Sequence, residues 1–276
     1  MNAAMVVLYE PNDKDIENIG QYCERVDLMI VLDNSSEDNY YKVNKVISID
    51  NNRTIYKHFK KNVGLCAALN IGMNIASEKG CEWALIMDDD SSFLTDIIQV
   101  YSSYIENNDT ENVVVLSPVH IYDRSRAKGY PGIKKIKWAM TSGCYYNIKH
   151  FHELGGFFED LFVECLDLDY CYKALEKGYA TIECGEALLK HHPAETKILK
   201  ILGIEIMKYG YASPWRYYMQ ARSLTWLIFR YRHIGDLIRL IWKIAKVILF
   251  FENKNEYLKQ IRKGQKDGWR IYYNNR

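Results

Sequence analysis

The stretch Trp83-Ala84-Leu85-Ile86-Met87-Asp88-Asp89-Asp90-Ser91 joins a short apolar run to three consecutive acidic residues. An apolar run that ends in polar residues is typical of a buried strand in an α/β sheet. Carboxylates gathered at the end of one strand repel one another unless a cation or solvent relieves them. Mg²⁺ and Mn²⁺ prefer oxygen ligands, and open α/β sheets bind ligands beyond the carboxyl ends of their strands. The stretch therefore indicates a metal site.

The same residues also fit a simpler structure. A helix is predicted over 93–105, and Asp90 or Ser91 would then be its N-cap within an acidic turn. The rest of the chain decides between a metal site and a helix N-cap.

Strand-like and helix-like segments alternate along the first two thirds of the chain. The pattern predicts strands over 4–9, 28–32, 46–49, 83–87, 113–116, 141–146 and 180–184, and helices over 16–25, 64–77 and 168–177. Polar side chains follow the second strand as well, at 33–36. This alternation favours a mostly parallel sheet with helices on both faces.

The chain has 276 residues, of which 48% are hydrophobic, so it can bury a core in one large domain, alone or with an appendage. Its seven cysteines form no close CxxC pair, and an apolar strand begins almost directly at the N-terminus. We expect reduced thiols in a cytoplasmic protein and no zinc site.

The net charge of +1 conceals an asymmetry along the chain. Residues 190–276 contain 18 Lys and Arg against 6 Asp and Glu, whereas residues 1–189 contain 18 against 29. An acidic body suits a metal, and a basic, aromatic-rich tail suits phosphates, anionic lipid or nucleic acid. No uninterrupted run of about 18 apolar residues occurs, so a membrane-spanning helix is not expected.

Two stretches are candidates for contact with a phosphorylated ligand. Residues 62–70 place a glycine and small residues at a loop-to-helix junction, where backbone N–H groups can bind phosphate. Residues 122–137 form a basic segment with glycines, which predicts a mobile surface loop. Ordinary helix packing for the first stretch and a solvated loop for the second are the alternatives.

The stretch 155–170 combines aromatic residues with Glu164, Asp167 and Asp169 near the start of a helix. Asp167 could be the N-cap of this helix, but a carboxylate held ionised by helix N–H groups can also act as a general base. The pair His191-His192 follows the last strand, and adjacent side chains of an extended segment point to opposite sides. Only one of the two histidines would then be a metal ligand, and surface or packing positions are the alternative.

The tail from about Lys197 is helical in character. Between Ile234 and Phe251, charged residues recur at spacings of 3, 4 and 3 and therefore share one helix face. They are Asp236, Arg239, Lys243 and Lys246. The rest of this segment is a broad apolar arc with a tryptophan, which describes a helix lying in a bilayer interface. Packing against the catalytic domain or in a homodimer is the alternative.

Taken together, these stretches resemble family 2 of the glycosyltransferases, which has the GT-A fold of nucleotide-diphospho-sugar transferases. Within the family they are most similar to the bacterial rhamnosyltransferases that build surface polysaccharides. The matching residues, in chain order, are Val6 to Tyr9 with Pro11, Val31 to Ser36, Asn62 to Gly64, Ala68 to Gly72, Met87 to Ser91, Ser142-Gly143, Gly155 to Phe157, Leu161-Phe162, Leu166 to Tyr170, His191, Tyr217-Tyr218 and Arg222.

The resemblance implies a role for each matching position. The implied donor-binding residues are Tyr9, Asp33, Asn62, Gly64, Ala67, Asn70, Asp88, Asp89, Asp90 and Arg222. Among them, Asp88 and Asp90 would form the DxD motif of the family and, with His191, would hold Mn²⁺ or Mg²⁺.

The resemblance also implies which residues act on the acceptor. Asp167 falls where the family carries its general base, and Gly143, Phe157 and Glu164 are assigned to acceptor binding. One base without an enzyme nucleophile gives inversion at the anomeric carbon. Four residues depart from the family pattern and leave the donor sugar open, namely Glu164, Leu166, Ala194 and Ser223.

We therefore expect a GT-A catalytic domain over 1–196, with helices on both faces of its sheet, and a C-terminal amphipathic helical region over 197–276. The expected activity is inverting, metal-dependent transfer of a sugar to a glycan or a polyprenyl-diphosphate-linked acceptor in surface polysaccharide synthesis. The favoured donor is dTDP-rhamnose, with UDP-galactose or UDP-glucose as the alternative.

The expected location is the cytoplasm, at an anionic membrane on the inner face of the cell membrane. We expect no nucleic acid partner, and a homodimer is compatible with the sequence. A nucleotidyltransferase and a non-catalytic membrane scaffold are further alternatives, although the first strand lacks the glycine-rich basic signature of a nucleotidyltransferase.

Overall fold

The structure, a computed structural model, describes residues 1–50, 52–191, 194–201 and 204–275. Its strands are β1 Asn2–Leu8, β2 Leu28–Asp33, β3 Thr54–His58, β4 Trp83–Asp88, β5 Ser92–Phe93, β6 Val113–Ile121, β7 Ile133–Ile136, β8 Cys144–Asn147, β9 Ala180–Lys190, β10 Glu195–Ile201 and β11 Ile204–Tyr211. Its α-helices are α1 Asp13–Ile19, α2 Tyr40–Val46, α3 Leu65–Glu78, α4 Ile97–Asn107, α5 Ile148–Glu153, α6 Leu166–Glu176, α7 Pro214–Tyr231, α8 Ile234–Phe250 and α9 Lys254–Asn274.

The strands β1 to β9 form one sheet in the order β3-β2-β1-β4-β8-β6-β9-β5, with β7 also paired to β9. Strands β3, β2, β1 and β4 run parallel to one another, as does the pair β6 and β9. Strand β8 is antiparallel to both β4 and β6, and β5 and β7 are antiparallel to β9. The predicted α/β sheet is present, but it is more mixed than the mostly parallel sheet that we expected.

Helices cover both faces of this sheet because successive side chains of a strand point to opposite sides. On one face Val6 of β1 packs in a core cluster with Ile16 of α1 and Tyr101 of α4. On the other face Met5 lies against Gly72 of α3, where a Cβ would come within 3.0 Å of the methionine sulfur. The core therefore lies in two layers, and the carboxyl ends of β1, β2 and β4 share one edge of the sheet.

The strand predicted over 46–49 is wrong. Residues 40–46 form α2, and the third strand is β3, which pairs in parallel with β2. Val43 and Ile47, four residues apart, are both buried, so the apolar spacing is that of a helix turn. The Asp50 carboxylate then accepts hydrogen bonds from the backbone N–H groups of Arg53 and Thr54, which turns the chain into β3.

Three other predictions also differ from the structure. The helix predicted over 16–25 is α1, which ends at Ile19, and a separate 3-10 helix spans Cys23–Arg25. The helix expected over 93–105 begins at Ile97, and its N-cap is Asp96, whose side chain accepts a hydrogen bond from the Gln99 N–H at 3.2 Å. Asp90 and Ser91 are therefore not its cap. The expected mobile loop 122–137 includes strand β7, and Tyr130 is bound to β9 through its N–H, which donates to the Gly185 carbonyl at 2.9 Å.

The chain divides into two compact units, Met1–Phe162 with Leu166–His192, and Val163–Cys165 with Pro193–Arg276. The second unit begins with the antiparallel hairpin of β10 and β11, which the helical expectation for the tail did not include. Helices α7, α8 and α9 follow, and α9 lies so close to α7 that a Cβ on Gly268 would meet the Arg222 carbonyl oxygen. Among the described residues, no helix has the length and apolar character needed to cross a bilayer.

The four charged residues of α8 do share one helix face, as predicted, but this face points into the second unit. Asp236 and Lys246 are buried, and Arg239 is ion-paired with Asp236. The Lys243 ammonium donates to the Gln220 side-chain oxygen at 2.7 Å. These charged side chains are therefore bound within the unit, and contact of α8 with a membrane stays a prediction.

Candidate active site

The acidic stretch ends β4 at the edge where β1 and β2 also end. Asp88 is the last residue of β4, and Asp90 lies in the turn that follows. One ligand atom each from Asp88, Asp90 and His191 lies within 4.8 Å of the others. The Asp88 Oδ2 and His191 Nδ1 atoms are 3.7 Å apart. Two carboxylates and an imidazole at these distances form a candidate metal site.

His191 reaches this site through strand pairing over a long stretch of chain. It follows β9, which lies parallel to β6, and its N–H donates to the Ile121 carbonyl at the end of β6 at 3.0 Å. The histidine is 7% exposed, so its ring lies under the acidic turn and not in bulk solvent. His192, the alternative ligand, lies outside the described residues.

A hydrogen-bonded network supports the candidate metal site. The Ser91 and Ser142 hydroxyl oxygens are 2.9 Å apart, and Ser91 Oγ is 2.9 Å from His191 Nδ1. Ser142 Oγ also accepts from the Asp88 N–H at 3.0 Å. The ring of His120 donates from Nε2 to the Ser142 carbonyl at 2.7 Å, and burial lowers its pKa to about 4. From the sequence, Ser91 was considered only as a possible N-cap, Ser142 was quoted within a motif without a role, and His120 was missed.

The site is electrostatically strained without a cation. Burial, and then the neighbouring carboxylates of Asp88 and Asp90, raise the pKa of Asp89 to about 7. Carboxylate oxygens suit Mg²⁺ and Mn²⁺, and an imidazole is a ligand that first-row transition metals accept. The donor set therefore fits a divalent cation, with Asp88, Asp90 and His191 as its protein ligands.

Asp33, at the end of β2, holds the neighbouring loop together. Its carboxylate accepts hydrogen bonds from the Ser35 N–H at 3.0 Å, the Asn39 N–H at 3.1 Å and the Tyr56 hydroxyl at 2.5 Å. Burial opposes ionisation, but hydrogen bonds from Ser35 and Tyr56 outweigh it and lower the pKa of Asp33. Tyr9, at the end of β1, is 57% exposed. These two predicted donor-binding residues thus differ, because Asp33 is buried and Tyr9 is open to a ligand.

The predicted donor-pocket turn leads into α3. The Asn62 side-chain oxygen accepts from the Gly64 N–H at 2.9 Å, and Asn34 reaches across from β2 to accept from the Val63 N–H at 3.2 Å. Gly64 has a φ of +89°, and a Cβ there would lie 2.6 Å from the Phe162 ring. Glycine is therefore required for both its backbone conformation and its close approach to Phe162. Sequence reasoning did not identify Asn34 as the side chain that holds this turn.

The structure brings a predicted donor residue and a predicted acceptor residue together. The Asn70 side chain, on α3, accepts from the Phe157 N–H and donates to the Phe157 carbonyl, both at 2.9 Å. The Phe157 ring itself is 2% exposed and packs against Tyr146, Phe151 and Tyr170. Ala67 lies half-buried one turn before Asn70. Phe157 and Tyr170 of the aromatic stretch 155–170 are thus part of the core.

The three carboxylates considered as a base have different environments. Asp167 is the second residue of α6, is half-buried, and accepts from the Leu168 N–H at 2.8 Å. Asp169 is fully buried and ion-paired with Lys173 at 3.1 Å. Within the second unit, Glu164 is paired with Arg216 at 2.7 Å. Asp167 is therefore within the first turn of its helix, and the other two are engaged in ion pairs.

Two further predicted site residues differ in burial, since Gly143 is buried and Arg222 is half-buried. Gly143 has a φ of +75°, donates its N–H to the Ile86 carbonyl, and accepts from the Tyr101 hydroxyl, each at 2.7 Å. Its close approach to Leu189 leaves no room for a Cβ. Arg222 belongs to the second unit, where it lies half-buried on α7.

Comparison with known proteins gives three results. The family model for Glycosyl transferase family 2 matches residues 17–163, which is just over half of the chain. The dTDP-rhamnosyl transferase RfbF of Shigella flexneri is 28% identical over 283 residues, covering 93% of this chain and 91% of that protein. The crystal structure of GalNAc-T7 with UDP, GalNAc and Mn²⁺ matches with a TM-score of 0.56 and 12% identity. That match covers 82% of this chain but only 50% of the other, and at this identity it concerns the fold alone.

Proposed function

The chain belongs to family 2 of the glycosyltransferases and has the GT-A fold, and we propose that it transfers rhamnose from dTDP-rhamnose to a hydroxyl of a glycan. Its family membership makes it a nucleotide-sugar transferase and removes the nucleotidyltransferase and scaffold alternatives. The observation that carries the mechanism is the cluster of Asp88, Asp90 and His191 at the carboxyl edge of the sheet. The name of the Shigella relative supports dTDP-rhamnose over a UDP-hexose as the donor.

The reaction depends on Mn²⁺ or Mg²⁺ held by Asp88, Asp90 and His191. When bound, the cation would neutralise charge that grows on the leaving diphosphate. Asp88 and Asp90 would hold the cation beside the donor, and Asp89 lies between them in the chain. Ser91 fixes the His191 ring through Nδ1. The carboxylate repulsion described above supports this assignment, because a site built for a cation is unfavourable without one.

Asp167 is the proposed general base. It removes the proton of the acceptor hydroxyl, whose oxygen then attacks the anomeric carbon as the bond to the diphosphate breaks. A single base without an enzyme nucleophile inverts the configuration. The place of Asp167 in the first turn of α6 supports this choice, because the N–H groups of a helix start hold a carboxylate ionised and able to accept a proton.

The remaining predicted residues contact either the nucleotide-sugar donor or the glycan acceptor. Tyr9 offers an exposed ring to the nucleotide base, and Asp33 acts by holding the adjacent loop in place. The turn with Asn62, Gly64, Ala67 and Asn70 lines the donor pocket, and Arg222 contacts the diphosphate. On the acceptor side, Gly143, Phe157 and Glu164 are the proposed contacts.

The proposed acceptor is a glycan or a polyprenyl-diphosphate-linked oligosaccharide of surface polysaccharide synthesis. An acceptor with a lipid carrier is presented at a membrane, so we propose a peripheral location on the inner face of the cell membrane. The strongly basic composition of residues 190–276 supports an anionic surface as the neighbour.

A donor screen tests the proposal. Release of nucleoside diphosphate is measured from dTDP-rhamnose, UDP-glucose and UDP-galactose, with Mn²⁺ and with a chelator, in the presence of a rhamnose-accepting glycan. We expect turnover with dTDP-rhamnose and Mn²⁺, and NMR of the product should show an inverted anomeric configuration. Turnover that survives the chelator would contradict the metal role, and a preference for a UDP-hexose would contradict the donor.

The base is tested with Asp167→Asn. We expect turnover to fall by about 10² or more, the scale of general base catalysis, while dTDP-rhamnose affinity stays unchanged. Glu106→Gln, which removes an exposed carboxylate on α4, is the control and should retain full activity. Normal turnover in Asp167→Asn would assign the base to another carboxylate.

A further inference from the structure

Helix α8, Ile234–Phe250, presents an exposed apolar face. Seven large apolar side chains on it are between 43% and 74% exposed. They are Ile234, Leu237, Ile238, Ile241, Trp242, Ile248 and Leu249. At 100° per residue they cover an arc of roughly 140°, wider than the narrow seam of a coiled coil. Contiguous apolar surface of this kind on a folded protein marks a site of interaction.

The opposite side of α8 is fixed to the second unit by its polar residues. The Lys246 ammonium donates to the Gly210 carbonyl at 2.7 Å, and Lys243 donates to the Gln220 side chain. Leu240 and Val247 are buried beside them. Turning the apolar face inward would break these two hydrogen bonds and expose Leu240 and Val247 to water, which is unfavourable. The exposed apolar face is a stable feature of this unit.

We propose that this face of α8 inserts into the surface of a membrane that contains anionic lipid. Residues 193–276 carry 17 Lys and Arg against 6 Asp and Glu, so the unit that bears the apolar face is strongly basic. A partner that is both apolar and negatively charged at its surface matches both properties, and an acidic bilayer has them. Trp242, 46% exposed, adds the amphipathic ring that is enriched at the membrane interface.

A second copy of the chain fits less well. Pairing of two α8 faces would bring together two units with the same excess of positive charge, and like charges oppose association. The inserting residues belong to the apolar arc that the sequence indicated, whereas the charged stripe of α8 is occupied within the unit. This inference deepens the proposed peripheral location and needs neither a donor sugar nor catalysis, so it can fail independently of the proposed reaction.

The test is co-sedimentation of the full chain with phosphatidylcholine vesicles, with and without phosphatidylglycerol. We expect binding to the anionic vesicles, and a partial loss of this binding in high salt because apolar insertion resists screening. The double variant Ile241→Gln and Leu249→Gln should lower the partition coefficient about tenfold or more, since each change removes exposed apolar area that the bilayer would bury.

The matched control is Ile206→Gln on β11, which is 56% exposed, the same value as Ile241. This control should bind vesicles as the unchanged chain does, and circular dichroism melts should be equal for all three proteins. Equal vesicle binding by the double variant and the control would overturn the proposal. A concentration-dependent dimer that the double variant dissociates, without vesicle binding by the unchanged chain, would assign the face to a second copy instead.

Discussion

Replacing Asp90 with Asn should change the stability of the protein in opposite directions with and without metal. The ligand atoms of Asp88, Asp90 and His191 lie within 4.8 Å of one another. Two negative charges at this separation repel by about 1 kcal/mol in a water-like medium and about 3.5 kcal/mol at an effective dielectric of 20. Asp90 is exposed, so the lower figure applies. The metal-free Asp90→Asn variant should therefore be more stable than the unchanged chain by about 1 kcal/mol.

The metal reverses this order. A ligand at about 100 times its dissociation constant stabilises the folded state by about 2.7 kcal/mol. For a domain of this size class that corresponds to a rise in Tm of about 5–10 °C. The unchanged chain should show this rise when Mn²⁺ is added with dTDP, and Asp90→Asn should show little or none. Its metal-free Tm should instead be about 2–4 °C above that of the unchanged chain.

Differential scanning calorimetry measures both quantities on the same samples. Each protein is heated with dTDP and chelator, and again with dTDP and Mn²⁺. Glu106→Gln removes an exposed carboxylate away from the site and should keep the full metal-dependent rise. A rise of equal size in Asp90→Asn would refute the assignment of this carboxylate, and a metal-free variant less stable than the unchanged chain would refute the repulsion argument.

Three further predictions follow from the contacts around the site. Ser91→Ala should weaken Mn²⁺ binding by about 10-fold or more in a calorimetric titration, because His191 loses the hydroxyl that orients its ring. An unchanged Mn²⁺ affinity would contradict this role of Ser91. Gly64→Ala should lower the free energy of unfolding in urea by about 2–6 kcal/mol, because it adds backbone strain and a clash with Phe162. The control Gly80→Ala, at a φ of +78° with open space around it, should lose only the strain of about 1–2 kcal/mol. Equal losses in the two variants would refute the clash. Burial lowers the pKa of His120 from 6.5 to about 4, so between these pH values only the unfolded state takes up the proton. The free energy of unfolding should therefore fall by on the order of 3 kcal/mol as the pH falls from 6.5 to 4. His120→Gln should lack this component in pH-dependent unfolding, and an unchanged pH slope would contradict the prediction.

The sequence by itself determined the features that depend on local pattern. The apolar run before Asp88 predicts a buried strand, and the consecutive carboxylates after it predict a cation site at the strand end. For Gly64 the sequence indicates a close backbone approach, with phosphate binding or helix packing as its reason, and the structure shows the approach to Phe162. These predictions need only neighbouring residues, so the order of the chain contains the information. The family resemblance, which the comparisons confirm, rests on the same ordered segments.

Other features were decided by contacts between distant segments. His191 meets the carboxylates, and Ser91 meets Ser142, because β9 pairs with β6 and β8 pairs with β4. The segment 46–49 has residues suited to a strand, but helix α2 buries Val43 and Ile47 together and leaves the strand position to β3. Such pairings depend on which segments compete for one edge of the sheet, and local propensity does not report that competition.

The orientation of α8 is the clearest case of this division. The spacing of charged and apolar residues along 234–250 establishes two faces, because a helix repeats every 3.6 residues. It does not establish which face meets protein, since an apolar face can be buried by a core or by lipid. That choice was made by Gln220 and the Gly210 carbonyl, which accept hydrogen bonds from Lys243 and Lys246. With the lysines held there, the apolar side chains of α8 are the ones left facing outward.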